Sequence, residues 1–427
     1  MLKKTIRAGA LQYVLVVAVI IAILIFAFLS LHFLQQKISV KQHFLKETIY
    51  NVENGFDYLK RAKIGYDAPV QIDISENHLE ATTIVKKHWG IYDLAIIRSQ
   101  IKNEFYQKAA LLGAQTNNKA AVYLKENYQS LVLVGNTKIT GNVLVPKLGV
   151  KTGNIAGVSF YGNQLIMGNQ QLSANTLPEI KNIASLRSFY DNFGAVDFDE
   201  FDLVYNTRVF KSFTEKMLVY ERLKAIVLED LSLSGHILIA SSTKITVKAS
   251  ANLSDVILMA PKIVIEENTK GNFQAIATQN IQVQSRCLLS YPTALVLLEK
   301  EVLSNHQEVG NRQGENRAPE NQLSIAKGSE VKGVVVFDST RKETNYKAQM
   351  SLEAQAIVTG EIYCAKNLEM RGTVIGAVIT SNFIVQQSGG IYRNHLYNAV
   401  INVNKLPKQY AGLQLENQSN AVAKWVR

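Results

Sequence analysis

From Ala8 to Gln36 the chain carries no Lys, Arg, Asp or Glu, and nothing else in its 427 residues is like that stretch. Residues 10–34 read ALQYVLVVAVIIAILIFAFLSLHFL, interrupted only by Gln12, Tyr13, Ser30 and His32. A helix needs about 20 apolar residues to cross a bilayer, so one N-terminal span is expected, with the bulk of the protein on one side. A cleaved secretory signal has a shorter apolar region, about 7–15 residues, and ends on small side chains. This run ends in Leu31, His32, Phe33 and Leu34, which predicts a retained anchor. Lys3, Lys4 and Arg7 precede it and favour an N-terminus inside the cell. Lys37, Lys41 and Lys46 follow it and weaken that bias. The expected topology is single-pass, with the C-terminal bulk outside the cytoplasm.

Residues 35–64 extend the span. Ile38, Leu45, Val52 and Leu59 recur every seventh residue, with Ile49 and Phe56 at the alternate positions. That is the a/d stripe of an amphipathic helix. No proline interrupts residues 10–63, so one continuous helix is expected, about 80 Å long at 1.5 Å per residue. Gly65 and Pro69 then end it. The stripe fits either a stem shared in an assembly or a helix packed on its own domain.

A short basic leader, Gly9, an uncharged segment beginning at Ala10 and an amphipathic extension together resemble the N-terminus of type IV pilin-like proteins. The similarity is to PilX-type minor pilins and the minor pseudopilins of type II secretion. It implies processing between Gly9 and Ala10 by a prepilin peptidase, and helices that pack into a filament. In that reading the stem residues Ile38, Leu45, Ile49, Val52, Phe56 and Leu59 serve assembly. Most pilins carry Glu five residues after the cut, where this chain has Val14.

The rest of the chain is β-rich and repetitive. KITV at 244–247, KIVI at 262–265 and NIQV at 280–283 are spaced 18 apart. Each places apolar side chains two apart, as a strand with one buried face requires. HILIAS, VILMAP and QAIATQ precede them and are also strand-like. An apolar-x-Gly-x-apolar pattern recurs around Gly141, Gly235, Gly333, Gly360 and Gly376. A period of about 16–20 residues fits the coil of a parallel β-helix. The alternative is an antiparallel sandwich. The coils at 327–403 resemble bactofilins, through KGSEVKGVVVF and IVTGEIYCAKNLEMRGTVIGAVITSNFIV. That resemblance implies a small β-helix that polymerises end to end.

The expected fold class is mainly β: an N-terminal transmembrane helix with a long amphipathic extension, then a parallel β-helix (β-solenoid) with an α-containing insertion. The expected segments are a basic leader at 1–9, the span at 10–34 and the amphipathic extension at 35–64. A mixed α/β segment follows at 65–130, with a short helix at 117–130. First solenoid coils are expected at 131–175 and an α-containing insertion or cap at 176–229. There residues 209–230 (VFKSFTEKMLVYERLKAIVLED) suit an amphipathic helix. Solenoid returns at 230–303, then a polar loop at 304–326, solenoid at 327–403 and a tail at 404–427.

The net charge of +11 is scattered rather than striped, as on a solvated basic surface. It lacks the aromatic interleaving of single-strand binders, so no nucleic-acid partner is expected. Cys287 and Cys364 are too few for a disulfide framework. Asp197, Asp199, Glu200 and Asp202 alternate but lack the glycine and distal glutamate of an EF-hand loop, so a solvated acidic turn is expected and no metal site. Glu266 and Glu267 are adjacent, and Glu353, Glu361 and Glu369 lie eight apart, so neither set brings carboxylates together on one face. The histidines have no ligand spacing, and no phosphate loop or nucleophile elbow is present. No catalytic residue and no cofactor is expected. The function expected is a non-enzymatic structural or assembly component of a cell-envelope machine, with membrane lipid and other pilin-like or envelope proteins as partners. The alternatives are an envelope-anchored β-helix that binds or cleaves carbohydrate, and a bactofilin-like scaffold.

Overall fold

The computed structural model describes residues 9–62, 64–72, 80–115, 119–191, 198–204, 206–299, 322–340, 346–416 and 418–427. The leader cations, Asp197 and almost all of the expected polar loop lie outside the described residues. By packing, the chain divides into two units: residues 1–59 with 69–85 and 97–107, and residues 60–68 with 86–96 and 108–427.

The first unit holds a single helix of 53 residues, α1 (Gly9–Arg61), together with strand segments of a five-stranded sheet. That sheet runs Val70–Ile72, Glu80–Trp89, Tyr92–Ile101, Glu104–Gln115, Ser419–Val426. The last strand pairs antiparallel with the fourth, Ser419 opposite Gln115. Residues 116–418 are thus inserted between two neighbouring strands.

The insertion is the expected solenoid. The three 18-spaced segments stack in parallel register, Ile245 on Ile263 on Ile281. The next layers, Leu323, Met350 and Leu368, follow in the same column. Each is buried, because each alternate residue of these short strands points into the coil. The strands between them differ. ILIAS at 237–241 and VILMA at 256–260 are apolar without alternation and buried throughout. Strands covered on both faces read as unbroken apolar runs. Their inward side chains line the solenoid interior, and their outward ones form a second core with Trp89, Ile91, Tyr92 and Leu111 of the sheet.

The order of the coils departs from the linear reading. Residues 122–172 do not precede the coil at 226–247; they stack on the last coils instead. Val378 pairs with Val122, Leu396 with Leu133 and Ile401 with Ile139. The inward column from Ile239 therefore passes through Leu258, Ala275, Leu295, Val335, Ile362 and Val378 to Val122 and Val143. The chain begins the solenoid at one end, crosses by a return segment bearing α2 (Ile183–Asp191), and rebuilds it from the other end.

Two helix expectations fail. Residues 122–124 are a strand, and 209–230 contain three strands, Arg208–Lys211, Leu218–Arg222 and Ile226–Leu228. Lateral pairing, such as Val219 with Leu238 and Ile226 with Ile245, overrides local helix propensity there.

His236 shows the cost of covering the solenoid's outer face. It packs against Trp89 (ring centroids 4.8 Å) and Phe213 (5.3 Å), with Nδ1 2.9 Å from the Glu215 carbonyl. Burial lowers its pKa to about 4. The folded state therefore binds fewer protons than the unfolded one between that value and the ordinary 6.5. The stability contribution is complete above pH 6.5 and is lost as pH falls toward 4, by about 3 kcal/mol. Urea midpoints measured from pH 7 to 4 should fall less steeply for His236→Phe than for the parent; equal slopes would refute this.

Candidate functional site

The first half of α1 is bare. From Leu11 to Leu34 its large side chains are between 49% and 78% exposed. Its most apolar 18-residue window has a mean hydropathy of 3.3 and no buried residue, and the helix is long and apolar enough to cross a membrane. Monomeric soluble surfaces rarely leave apolar patches above a few hundred Å² in water, so this half needs lipid or other helices around it. Gly9 is the first residue of the helix and Ala10 the second; both are exposed, and nothing lies within 4 Å of a Cβ built on Gly9.

The heptad stripe divides. Val52, Phe56 and Leu59 are at most 2% exposed and pack within the first unit, while Ile38 (47%), Leu45 (40%) and Ile49 (37%) face outward. The buried half also uses residues that apolar periodicity does not score. Gly55 lets the helix approach Ile97, whose Cγ2 would lie 3.0 Å from an added Cβ. Asn51 donates to Ser99 Oγ at 3.5 Å, and Thr82 donates to the same oxygen at 3.2 Å. Thr48 turns its hydroxyl back to the Leu45 carbonyl at 2.8 Å. The signal in the sequence was the spacing of small or amide residues at 48, 51 and 55. The outward half leaves an apolar seam from Leu11 through Ile49 on one helix.

Of the three glutamates spaced eight apart, the structure brings Glu353 and Glu369 to one cleft, against the expectation from spacing, and keeps Glu361 away from them. Glu361 lies under the sheet side of the solenoid at 3% exposure, ion-paired with Lys119, and accepts the Leu413 N–H at 2.6 Å. Glu353 accepts the Lys327 N–H at 2.9 Å, and Glu369 pairs with Arg371 at 2.8 Å, both beside a polar cleft of about 560 Å³. Asp199 sits near Lys211 and Lys216, and Asp202 pairs with Arg222. Among the described residues no three His, Cys, Asp or Glu side chains gather as metal ligands. Cys287 and Cys364 are free and buried, and burial pushes the Cys364 thiol up to about 12.

One buried polar cluster was not anticipated. Asp93, fully buried, takes an ion pair from Lys86 at 2.7 Å and hydrogen bonds from Tyr66 (3.1 Å), Asn182 (2.8 Å) and Gln414 (2.9 Å). His88 stacks on Tyr66 with centroids 3.7 Å apart, and desolvation lowers its pKa. Burial, with Asp93 beside it, raises that of Tyr66. Four separate stretches of the second unit meet there, each donor being satisfied by the carboxylate. Asp93, Lys86, Asn182 and Gln414 are buried while Tyr66 and His88 reach partly to solvent, and the cluster ties these chain segments together.

The chain matches no protein-family model and no curated protein. Among solved structures it is similar to the competence-associated pilin ComZ from Thermus thermophilus, at 7% identity and a TM-score of 0.24, over 90% of this chain and 96% of that one. A score that low carries no conclusion about fold or role.

Proposed function

We propose that this protein is a membrane-tethered, pilin-like assembly component of a cell-envelope machine, without enzymatic activity. The observation that carries this reading is α1: one unbroken helix, apolar and bare over its first half and packed on strands over its second. In the finer form of the reading, a prepilin-type peptidase cuts between Gly9 and Ala10. The apolar seam from Leu11 to Ile49 then packs against helices of like subunits, and the solenoid stands outside the cytoplasm as the displayed part.

The solenoid's outward rows support assembly over polysaccharide cleavage. One such row runs Lys270, Leu288, Glu330, Ile357, Thr373. It is mixed in polarity and carries one carboxylate, where a glycosidase needs two flanking the bond; the cleft that does hold two, Glu353 and Glu369, engages them with the Lys327 N–H and Arg371.

Mass spectrometry of the protein from its native membrane tests the reading. The expected mature terminus is Ala10. An intact Met1 would overturn the pilin-like form and leave a plain signal anchor bearing a solenoid.

A further inference from the structure

Two stretches of the chain, 127–178 and 372–415, contain no Asp or Glu. With 35 acidic residues in 427, 96 residues would carry about eight by proportion. The two stretches are far apart in sequence, yet the fold stacks one on the other through Val378–Val122, Leu396–Leu133 and Ile401–Ile139. Together they form one end of the solenoid, where Val150–Thr152 and Gln170–Leu172 are the outermost strands. The neighbouring acid, Glu126, is 9% exposed, and its carboxylate accepts the N–H groups of Tyr128 and Lys147, each at 2.8 Å. The two stretches therefore carry six Lys and Arg and no acid of their own, with Glu126 acting on Lys147 from beside them, and 20 Asn and Gln.

An open cleft of about 620 Å³ lies there, lined by Asn136, Thr137, Lys138, Tyr161, Asn163 and Gln164 among others. Its size is that of ligand sites in general, and its lining is about half polar and half apolar. Tyr161 is 63% exposed, and Asn136, Lys138, Asn163 and Gln164 are exposed beside it. No ion pair engages Lys138 among the described residues. Primary amides both donate and accept hydrogen bonds, as sugar hydroxyls do. An open tyrosine ring offers a flat apolar plate to the C–H face of a pyranose, with its hydroxyl free for a polar group. A lysine without a counter-ion suits a carboxylate on the same sugar. Nucleic acid fits less well, because its affinity comes from dense cation–phosphate pairing, and here amides outnumber cations 20 to six.

We propose that this acid-free end of the solenoid binds an acidic polysaccharide of the polyuronate type, seated in the cleft between Lys138 and Tyr161. This site is independent of how α1 is processed or packed, so either reading can fail alone. The test uses the full chain in detergent micelles, with alginate as the probe and dextran, single-stranded DNA and duplex DNA beside it. Saturable alginate binding is expected, at least tenfold tighter than dextran or either DNA at physiological salt. Lys138→Gln and Tyr161→Ala should each weaken it tenfold or more at an unchanged urea midpoint, since both side chains are exposed. Glu353→Gln, in the other cleft, should leave it unchanged. Absence of alginate binding, affinity within twofold of the parent for either cleft variant, or tighter binding of DNA would each overturn the proposal.

Discussion

Gly360→Ala is expected to destabilise the solenoid by about 2–6 kcal/mol. Gly333, Gly360 and Gly376 occupy one column in successive layers, with φ of +142°, +144° and +149°. L side chains rarely adopt that conformation. The layers also approach closely: a Cβ on Gly360 would lie 1.9 Å from the Gly333 carbonyl oxygen and 2.7 Å from the Tyr410 hydroxyl. Backbone held by ladder hydrogen bonds on both sides cannot step away. Strain at such a φ costs about 1–3 kcal/mol and overpacking a further 1–3 or so, against a total margin of about 5–15. Gly157→Ala separates the two effects, because Gly157 has φ +87° but nothing within 4 Å of its Cβ. Denaturant unfolding followed by far-UV circular dichroism should place Gly157→Ala about 1 kcal/mol below the parent. Gly360→Ala should fall about 2–6 below it. Equal midpoints for the two variants would show that the glycine column is not what spaces the coils.

Glu361→Gln should be nearly as damaging for a different reason. The outward column Leu238, Ile257, Gln274, Ala294, Val334, Glu361, Ala377 is apolar at five of seven positions. Both polar members hold the cover in place. Gln274 accepts the Ile91 N–H and donates to the Trp89 carbonyl, each at 2.9 Å. Glu361 holds Lys119 and the Leu413 N–H. Lys119, 7% exposed at its side chain, also lies over the Tyr410 ring at 4.6 Å. Removing one partner of a buried pair leaves the other charge without compensation, at about 3–5 kcal/mol. Lys119→Met in the Glu361→Gln background should recover most of that loss, because the stranded charge goes with it. A double-mutant cycle in urea checks this, and a coupling energy near zero would show that the pair is not what holds Tyr410 and Leu413 against the solenoid.

The periodic part of the fold was legible and the non-periodic part was not. The 18-residue spacing of KITV, KIVI and NIQV became register because each coil places the same three short strands around the same interior. The five glycines of the apolar-x-Gly-x-apolar pattern all have positive φ, a conformation that favours glycine. Residues 209–230 misled because VYERLKAIVLED has an apolar spacing compatible with helix, and only its neighbours in space decide otherwise. The joining of 122–145 to 373–402 leaves no local trace, since either stretch would stack on any coil of similar width. For the stem, apolar periodicity found Val52, Phe56 and Leu59 but could not separate them from Ile38, Leu45 and Ile49. What buries the first three is the sheet, read through Asn51 and Gly55. Asp93 and its partners come from four distant stretches, and no spacing rule connects them.

The stacking of the first coils on the last sets a timetable. A ribosome adding about 5–20 residues per second takes roughly 10 to 45 seconds between Val145 and Thr373. Throughout that interval residues 122–145 have no partner for one of their edges. Repeat proteins whose units stack in sequence order can lay down each layer as it emerges; this one waits for almost its full length. A chain stopped near Arg371 would hold its early coils with nothing to rest on, so completeness of the chain is checked by the fold itself.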